Sequence, residues 1–339
     1  MKYFRLFSSV VPVKGYSESL LYDLLESKAY VLSNPYFGVL LSLKESSISG
    51  FLDMMINNDK KKVISFLKEL EESNLGFFTS EPDLFSDPIL EYHSPYLIQN
   101  CIIEIASFKK FDYKLLFNKL VDQNVGEIQI RILNIKQSIN ELSDYLETFH
   151  GSFVNGIEVY FPYPKNLTQQ QVINEICELV QKHKRIYRFI IYNSKNNELI
   201  LNHERQIDEK IIFITNDITN QKDVISISNF VINPALYFEA LNYNTASNKK
   251  LSIDKDGNIT NLPHDDKVLG TLNGKYNFAE ILDSASYNQM KKIPNDNIEI
   301  CKDCQYRYMC IFNTKTIFEN GKYYKRDKCN FDPYTNTWN

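Results

Sequence analysis

Four cysteines, Cys301, Cys304, Cys310 and Cys329, follow one another as C-x2-C-x5-C and then a lone cysteine after eighteen residues. No other feature limits so sharply what this chain can fold into. A C-x2-C turn lets two sulfurs face one inorganic centre while backbone amides point at them. Two later thiolates then complete a four-sulfur shell. Such a centre supplies folding free energy to a segment too poor in apolar residues to build a core of its own. Buried free cysteines are the ordinary alternative, but three in ten residues with a fourth soon after is a density that reading does not explain. The spacing leaves the metal open: zinc sites commonly pair two C-x2-C elements, and here the second half is split. The remaining cysteines, Cys101 and Cys177, fall in a strand pattern and a helix pattern and read as core.

Composition narrows the setting. At 339 residues the chain has room for two or three modules. It is 43% hydrophobic and 24% charged, as a globular protein is, and its 13% aromatic content points to strands and ring packing. A formal net charge of −4 argues against a nucleic-acid partner, which requires a basic face. No run of about 18 apolar residues occurs, so no membrane span is expected. MKYFRLFSSVVPVKGYSE lacks an apolar core and a cleavage site, so no signal peptide is read. Six cysteines, four of them clustered, do not make a secreted disulfide lattice, and a cytoplasmic location is expected.

The fold class this pattern predicts is α/β in three parts. Residues 1–88 read as strands FRLFSSVVPV, SLLYDLL and KAYVLSN followed by three short amphipathic helices, a winged-helix-like module. Residues 96–240 alternate strand and helix from LIQNCIIEIAS onward, which implies a parallel sheet with crossover helices, either a partial barrel or an open layer. Ser138 and Glu141 are spaced as a capping box ahead of one of these helices. Residues 241–339 begin with KKLSIDKDGNITNL, a hairpin signature around Asp256-Gly257, and end with the cysteines.

Other chemistry is thinner. The five histidines include no pair at i, i+3 or i+4, and His264 reads as a solvated turn residue. No phosphate-binding glycine loop occurs. Glu104, Glu127, Gln129, Arg131 and Glu158 alternate along strands and share one face; if buried they need partners, or water. In the first module KAYVLSN reads as an outer strand, able to accept an extra strand by β-augmentation.

The C-x2-C-x5-C run, the late cysteine, the hairpin LSIDKDGNITN and the closing CNFDPYTNTW together resemble the SPASM domain of radical S-adenosylmethionine peptide maturases, in the branch named grasp-with-spasm. The resemblance implies a partial (β/α) barrel of radical-SAM type between a leader-peptide recognition module and a reduced SPASM domain. It implies a [4Fe–4S] cluster on Cys301, Cys304, Cys310 and Cys329, which is preferred here, although the donor set also accepts Zn2+. It further implies a precursor peptide held against Tyr30, Val31 and Leu32 of the outer strand with Phe66 and Leu70 of the helix 61–74, and a partner ATP-grasp ligase. The sequence departs from the family at three places. FKKFDYKLL holds no cysteine where C-x3-C-x2-C belongs, so no S-adenosylmethionine cluster is expected. Leu262 and Thr314 stand where ligands of a first auxiliary cluster belong. The expected function is thus an accessory maturase that binds a precursor peptide for the ligase and has no radical-SAM activity. A cluster-dependent enzyme acting on the peptide itself and a metal- or redox-sensing winged-helix regulator are the alternatives.

Overall fold

The structure is a computed structural model and describes residues 2–85, 90–134, 138–200, 210–218, 230–289, 291–311 and 314–338. In chain order its elements are β1 (Tyr3–Leu6), β2 (Val10–Val13), β3 (Ser19–Asp23), β4 (Lys28–Leu32), α1 (Asn34–Glu45), α2 (Ile48–Asp53), α3 (Asn57–Glu72), β5 (Gly76–Thr79) and β6 (Ile98–Ile105). There follow α4 (Tyr113–Asp122), β7 (Val125–Ile132), α5 (Ile139–Leu146), β8 (Gly156–Pro162), α6 (Gln169–Lys182), β9 (Ile186–Tyr192), β10 (Glu198–Ile200), β11 (Ile211–Phe213) and α7 (Pro234–Asn242). The last are β12 (Lys250–Ile253), β13 (Asn258–Thr260), β14 (Gly270–Thr271), α8 (Phe278–Asp283), α9 (Ala285–Asn288), β15 (Thr316–Glu319), β16 (Lys322–Lys325), β17 (Phe331–Asp332) and β18 (Thr337–Trp338). Among the described residues no helix is long and apolar enough to cross a membrane.

The chain is mixed α/β and divides into two compact units. One comprises 1–92, 224–245 and 292–339, the other 93–223 and 246–291. Residues 246–291, grouped in the sequence with the cysteines, thus fall in the second unit, and the first 92 residues share a unit with the cysteine segment.

In the first unit β2, β3 and β4 form an antiparallel sheet with β3 in the middle. Every residue of β3 is buried, because both faces of the strand are covered. Leu21 packs with Val10, Leu32, Leu43, Val63, Leu67 and Leu70 on the helical side. Leu20 and Tyr22 pack with Val13, Leu24, Tyr237 and Met309 on the other. The expected continuous strand 4–13 is two strands. β1 pairs with β5, β2 pairs with β3, and the Val10 amide donates to the Phe7 carbonyl across the turn at Ser8-Ser9. The chain changes partner there, which neither strand's own residues dictate.

The second unit is built on a nine-stranded mixed sheet in the order β10-β11-β9-β8-β7-β6-β12-β13-β14. β6 to β9 run parallel, joined by α4, α5 and α6. Ile103, Ile130, Val159 and Phe189 form one apolar face that buries Leu116, Phe117, Leu142, Ile176 and Val180. Each such side chain contributes about 1.5–3 kcal/mol by leaving water. Helix starts are set locally: Ser138 with Glu141, and Thr168 with Gln171, form reciprocal capping boxes. Among the described residues the sheet does not close, and β10 and β14 are its edges. Of NELILNHERQ, residues 198–200 form β10, and 201–209 lie outside the described residues. The predicted hairpin forms as β12–β13 with Gly257 at φ +83°, where a side chain would also meet the Phe111 ring at 2.6 Å. The sequence does not show that β12 then lies parallel beside β6 and extends the sheet.

Candidate metal centre

The four cysteines lie on irregular chain of the first unit, and none is in a disulfide. Cys301 opens a short 3₁₀ turn whose closing bond runs from the Cys304 amide to the Cys301 carbonyl at 3.0 Å. The residue before it, Ile300, has φ +69° and ψ −50°. A β-branched residue avoids that region at a cost of about 1–3 kcal/mol, so surrounding structure holds it there. Two amides face sulfur, Tyr306 N–H toward Cys304 Sγ and Phe331 N–H toward Cys329 Sγ, both at 3.4 Å. The Cys310 carbonyl accepts from Thr245 Oγ1 at 3.3 Å.

Three of these thiols are raised in pKa. Burial comes first, pushing Cys301 up to about 11, and nearby Cys310 and Cys329 add to it against the pull of Lys325. Cys304 is raised further by burial, with Cys301, Cys310 and Cys329 contributing. Burial likewise raises Cys329. Ionising such buried thiols with no cation is therefore costly, whereas a bound metal deprotonates coordinating thiols outright. The donor set and its amide partners are of the kind that either a four-coordinate zinc or a [4Fe–4S] cluster uses.

A ring cluster surrounds the segment. Tyr306 lies 4.9 Å from both Phe230 and Phe331, and Trp338 lies 4.9 Å from Phe331. Arg307 pairs with Asp296 at 2.9 Å and donates to the Lys14 carbonyl. The Tyr16 amide donates to the Asp303 carbonyl at 2.8 Å, Tyr22 Oη to the Gln305 carbonyl at 2.5 Å, and Ser17 Oγ to the Tyr334 carbonyl at 2.7 Å. At Gly15 a Cβ would meet the Glu18 carbonyl at 2.3 Å and Gln305 Cβ at 2.8 Å, so only glycine permits the approach. The β2–β4 sheet and the cysteine segment therefore pack as one body.

The peptide candidates divide. β4 is an outer strand of its sheet, as β2 is, with Lys28, Ala29 and Val31 exposed, Val31 to 70%. Tyr30 is half-buried, and Leu32, Phe66 and Leu70 lie in the core, Phe66 stacked on Tyr36 at 4.3 Å between ring centres.

The positions that depart from the family are filled by packing. After β6, Phe108 stacks on Tyr145 at 4.4 Å, and Lys110 pairs with Asp256 at 2.8 Å. Those residues do not fit a cluster that needs three thiolates. Thr314 is buried, donates to the Asp327 carboxylate and accepts from the Asp327 amide. Leu262 is buried. Cys101 and Cys177 are core residues of the second unit, and burial raises Cys101 to about 12. Four of the alternating polar residues are paired: Glu127 accepts from Asn100 at 3.0 Å, and Glu158 accepts from Gln129 and from Arg188. Arg131 donates to Gln129 at 2.6 Å.

Fold and thiols together define a mixed α/β chain whose four cysteines lie in the same compact unit as an open strand edge. No family model matches it, and no curated protein does. Among solved structures, Streptococcus suis SuiB bound to S-adenosylmethionine aligns over 91% of this chain and 94% of its own at 12% identity and a TM-score of 0.28. SuiB bound to precursor peptide SuiA gives the same coverage and identity at 0.27. Scores of that size establish no shared fold.

Proposed function

We propose that this chain is an accessory protein of ribosomal-peptide maturation. It binds a precursor peptide along β4 and presents it to an ATP-grasp ligase. Cys301, Cys304, Cys310 and Cys329 hold a metal centre with a structural role, a [4Fe–4S] cluster or a zinc ion. The carrying observation is that an outer strand and the four thiols belong to one compact unit, joined through Tyr22, Gly15 and Arg307. An outer strand presents unpaired backbone groups to an added strand, and alternate side chains select its sequence. Val31 pairs with Leu20 across the sheet and so shares its face, the side on which Leu20 packs with Met309 of the cysteine segment. A peptide added there extends a sheet whose backing the metal keeps folded. Four thiolate ligands saturate one cluster, which favours scaffolding over chemistry at the metal.

The test uses short precursor peptides and an ATP-grasp ligase encoded beside this chain. Fluorescence anisotropy with the full chain should show binding that Val31→Lys weakens at least tenfold without changing the circular dichroism. Unaltered binding by Val31→Lys removes the β4 site. A mass change in the peptide without ligase supports the enzyme reading instead. The metal is settled by the anaerobic absorption spectrum with metal analysis: a broad visible band and about four irons for a cluster, or a colourless protein with about one zinc.

A further inference from the structure

The C-terminal ends of α5 and α6, in the second unit, bring His183 to a pair of residues far from it in sequence, Glu147 and His150. One donor atom of each lies within 4.8 Å of the other two. Glu147 and His150 are three apart on the short turn after α5, and His150 Nδ1 is 3.0 Å from Glu147 Oε2. His183 caps α6, and its ring centre is 5.2 Å from that of His150. Its Nε2 meets Ser143 Oγ at 2.9 Å. Its Nδ1 is buried without a hydrogen-bond partner, in a residue only 3% exposed. Neither ring nitrogen is therefore held by a strong acceptor, and burying one unpartnered is costly unless something else claims it.

We propose that Glu147, His150 and His183 bind a divalent transition-metal ion, with zinc the ion that suits them. Two imidazoles and one carboxylate are the donors borderline ions prefer, and three protein ligands leave one position for water. The competing occupant is the Lys182 ammonium, 2.7 Å from Glu147 Oε1 and 3.1 Å from Ser143 Oγ. That side chain is half exposed on a flexible stem, so a divalent ion displaces it at little cost. The site's place in the sheet gives its role. The Ile186 amide at the start of β9 donates to the His183 carbonyl, which puts the cluster beside the amino ends of the strands. Ligands undergoing chemistry in open α/β sheets sit at the carboxyl ends. The ion pins α5 to α6 and takes no part in a reaction.

The test is zinc titration by isothermal calorimetry of the full chain, with the thiol site filled as isolated. Wild type should bind one more zinc per chain than His150→Ala, an exposed substitution that leaves the fold intact. Glu147→Gln should weaken that event at least tenfold. Lys182→Ala should bind zinc as tightly as wild type or more tightly, because it removes the competitor. Zinc should raise the thermal midpoint of wild type and not that of His150→Ala. Equal stoichiometry and affinity in wild type and His150→Ala, or weaker binding by Lys182→Ala, would overturn the site.

Discussion

Tyr22→Phe isolates the contact that joins the N-terminal sheet to the cysteine segment. Tyr22 is 1% exposed, and its hydroxyl donates to the carbonyl of Gln305, which is itself fully buried. Phenylalanine keeps the ring packed edge-on against Tyr237 and removes only the donor. Leaving a buried carbonyl without its donor costs about 1–3 kcal/mol. The two residues are 283 apart in sequence, so any effect at the cysteines travels through tertiary packing alone. If the metal escapes through opening of this body, weakening it by about 1–2 kcal/mol speeds release fivefold to thirtyfold. The assay follows metal transfer to excess chromogenic chelator by absorbance, beside urea unfolding of the same samples. Tyr192→Phe is the control: its hydroxyl donates to the Ile132 carbonyl at 2.8 Å in the second unit, so it carries the same chemical loss elsewhere. Release from Tyr22→Phe at the wild-type rate despite lowered urea stability refutes the coupling, as does equal acceleration by Tyr192→Phe.

Gly15→Ala should destabilise by about 2–4 kcal/mol, since its methyl meets the Glu18 carbonyl, backbone that cannot move aside, as well as the buried Gln305 side chain, while Gly38→Ala, with open space around it in α1, should stabilise by about 0.5–1 kcal/mol; chemical denaturation checks both. Burial raises Tyr192 to about 12. Its contribution is thus complete below the unfolded value near 10 and is lost as pH climbs from about 10 toward 12. Tyr192→Phe, less stable at neutral pH, should show a shallower alkaline decline in urea titrations from pH 9 to 12, and an unchanged slope would count against the burial argument. Cys304→Ser should abolish metal binding at the thiols and remove hydrogen-exchange protection around residues 296–338, while β6 to β9 remain protected; protection lost throughout the chain would argue against a local role.

Much of the second unit was readable residue by residue. Ser138 and Glu141 announced a capping box because the bonds involved close within one turn, and the equivalent Thr168–Gln171 pair carries the same signal. Alternation along EIQIRILN separated Ile128, Ile130 and Ile132 from Glu127, Gln129 and Arg131 because successive strand side chains face opposite ways. SLLYD, in contrast, reads as an apolar run, and no period in it reveals that Leu21 and Tyr22 enter different cores. Phe66 and Leu70 had the helical spacing of a core face, and that is where they lie. His150 and His183 showed nothing, since their nearness depends on how two helix ends meet.

Local rules, then, fixed in the chain itself the strand–helix alternation, the turn at Asp256-Gly257 and the grouping of three cysteines, because each depends on residues a few positions apart. Long-range packing alone decided that β12 lies beside β6, that the first sheet and the last cysteines share one body, and that two histidines and a glutamate converge. Those outcomes depend on which buried faces complement each other across hundreds of residues, and complementarity of surfaces is a property of the folded shape that no spacing along the chain encodes.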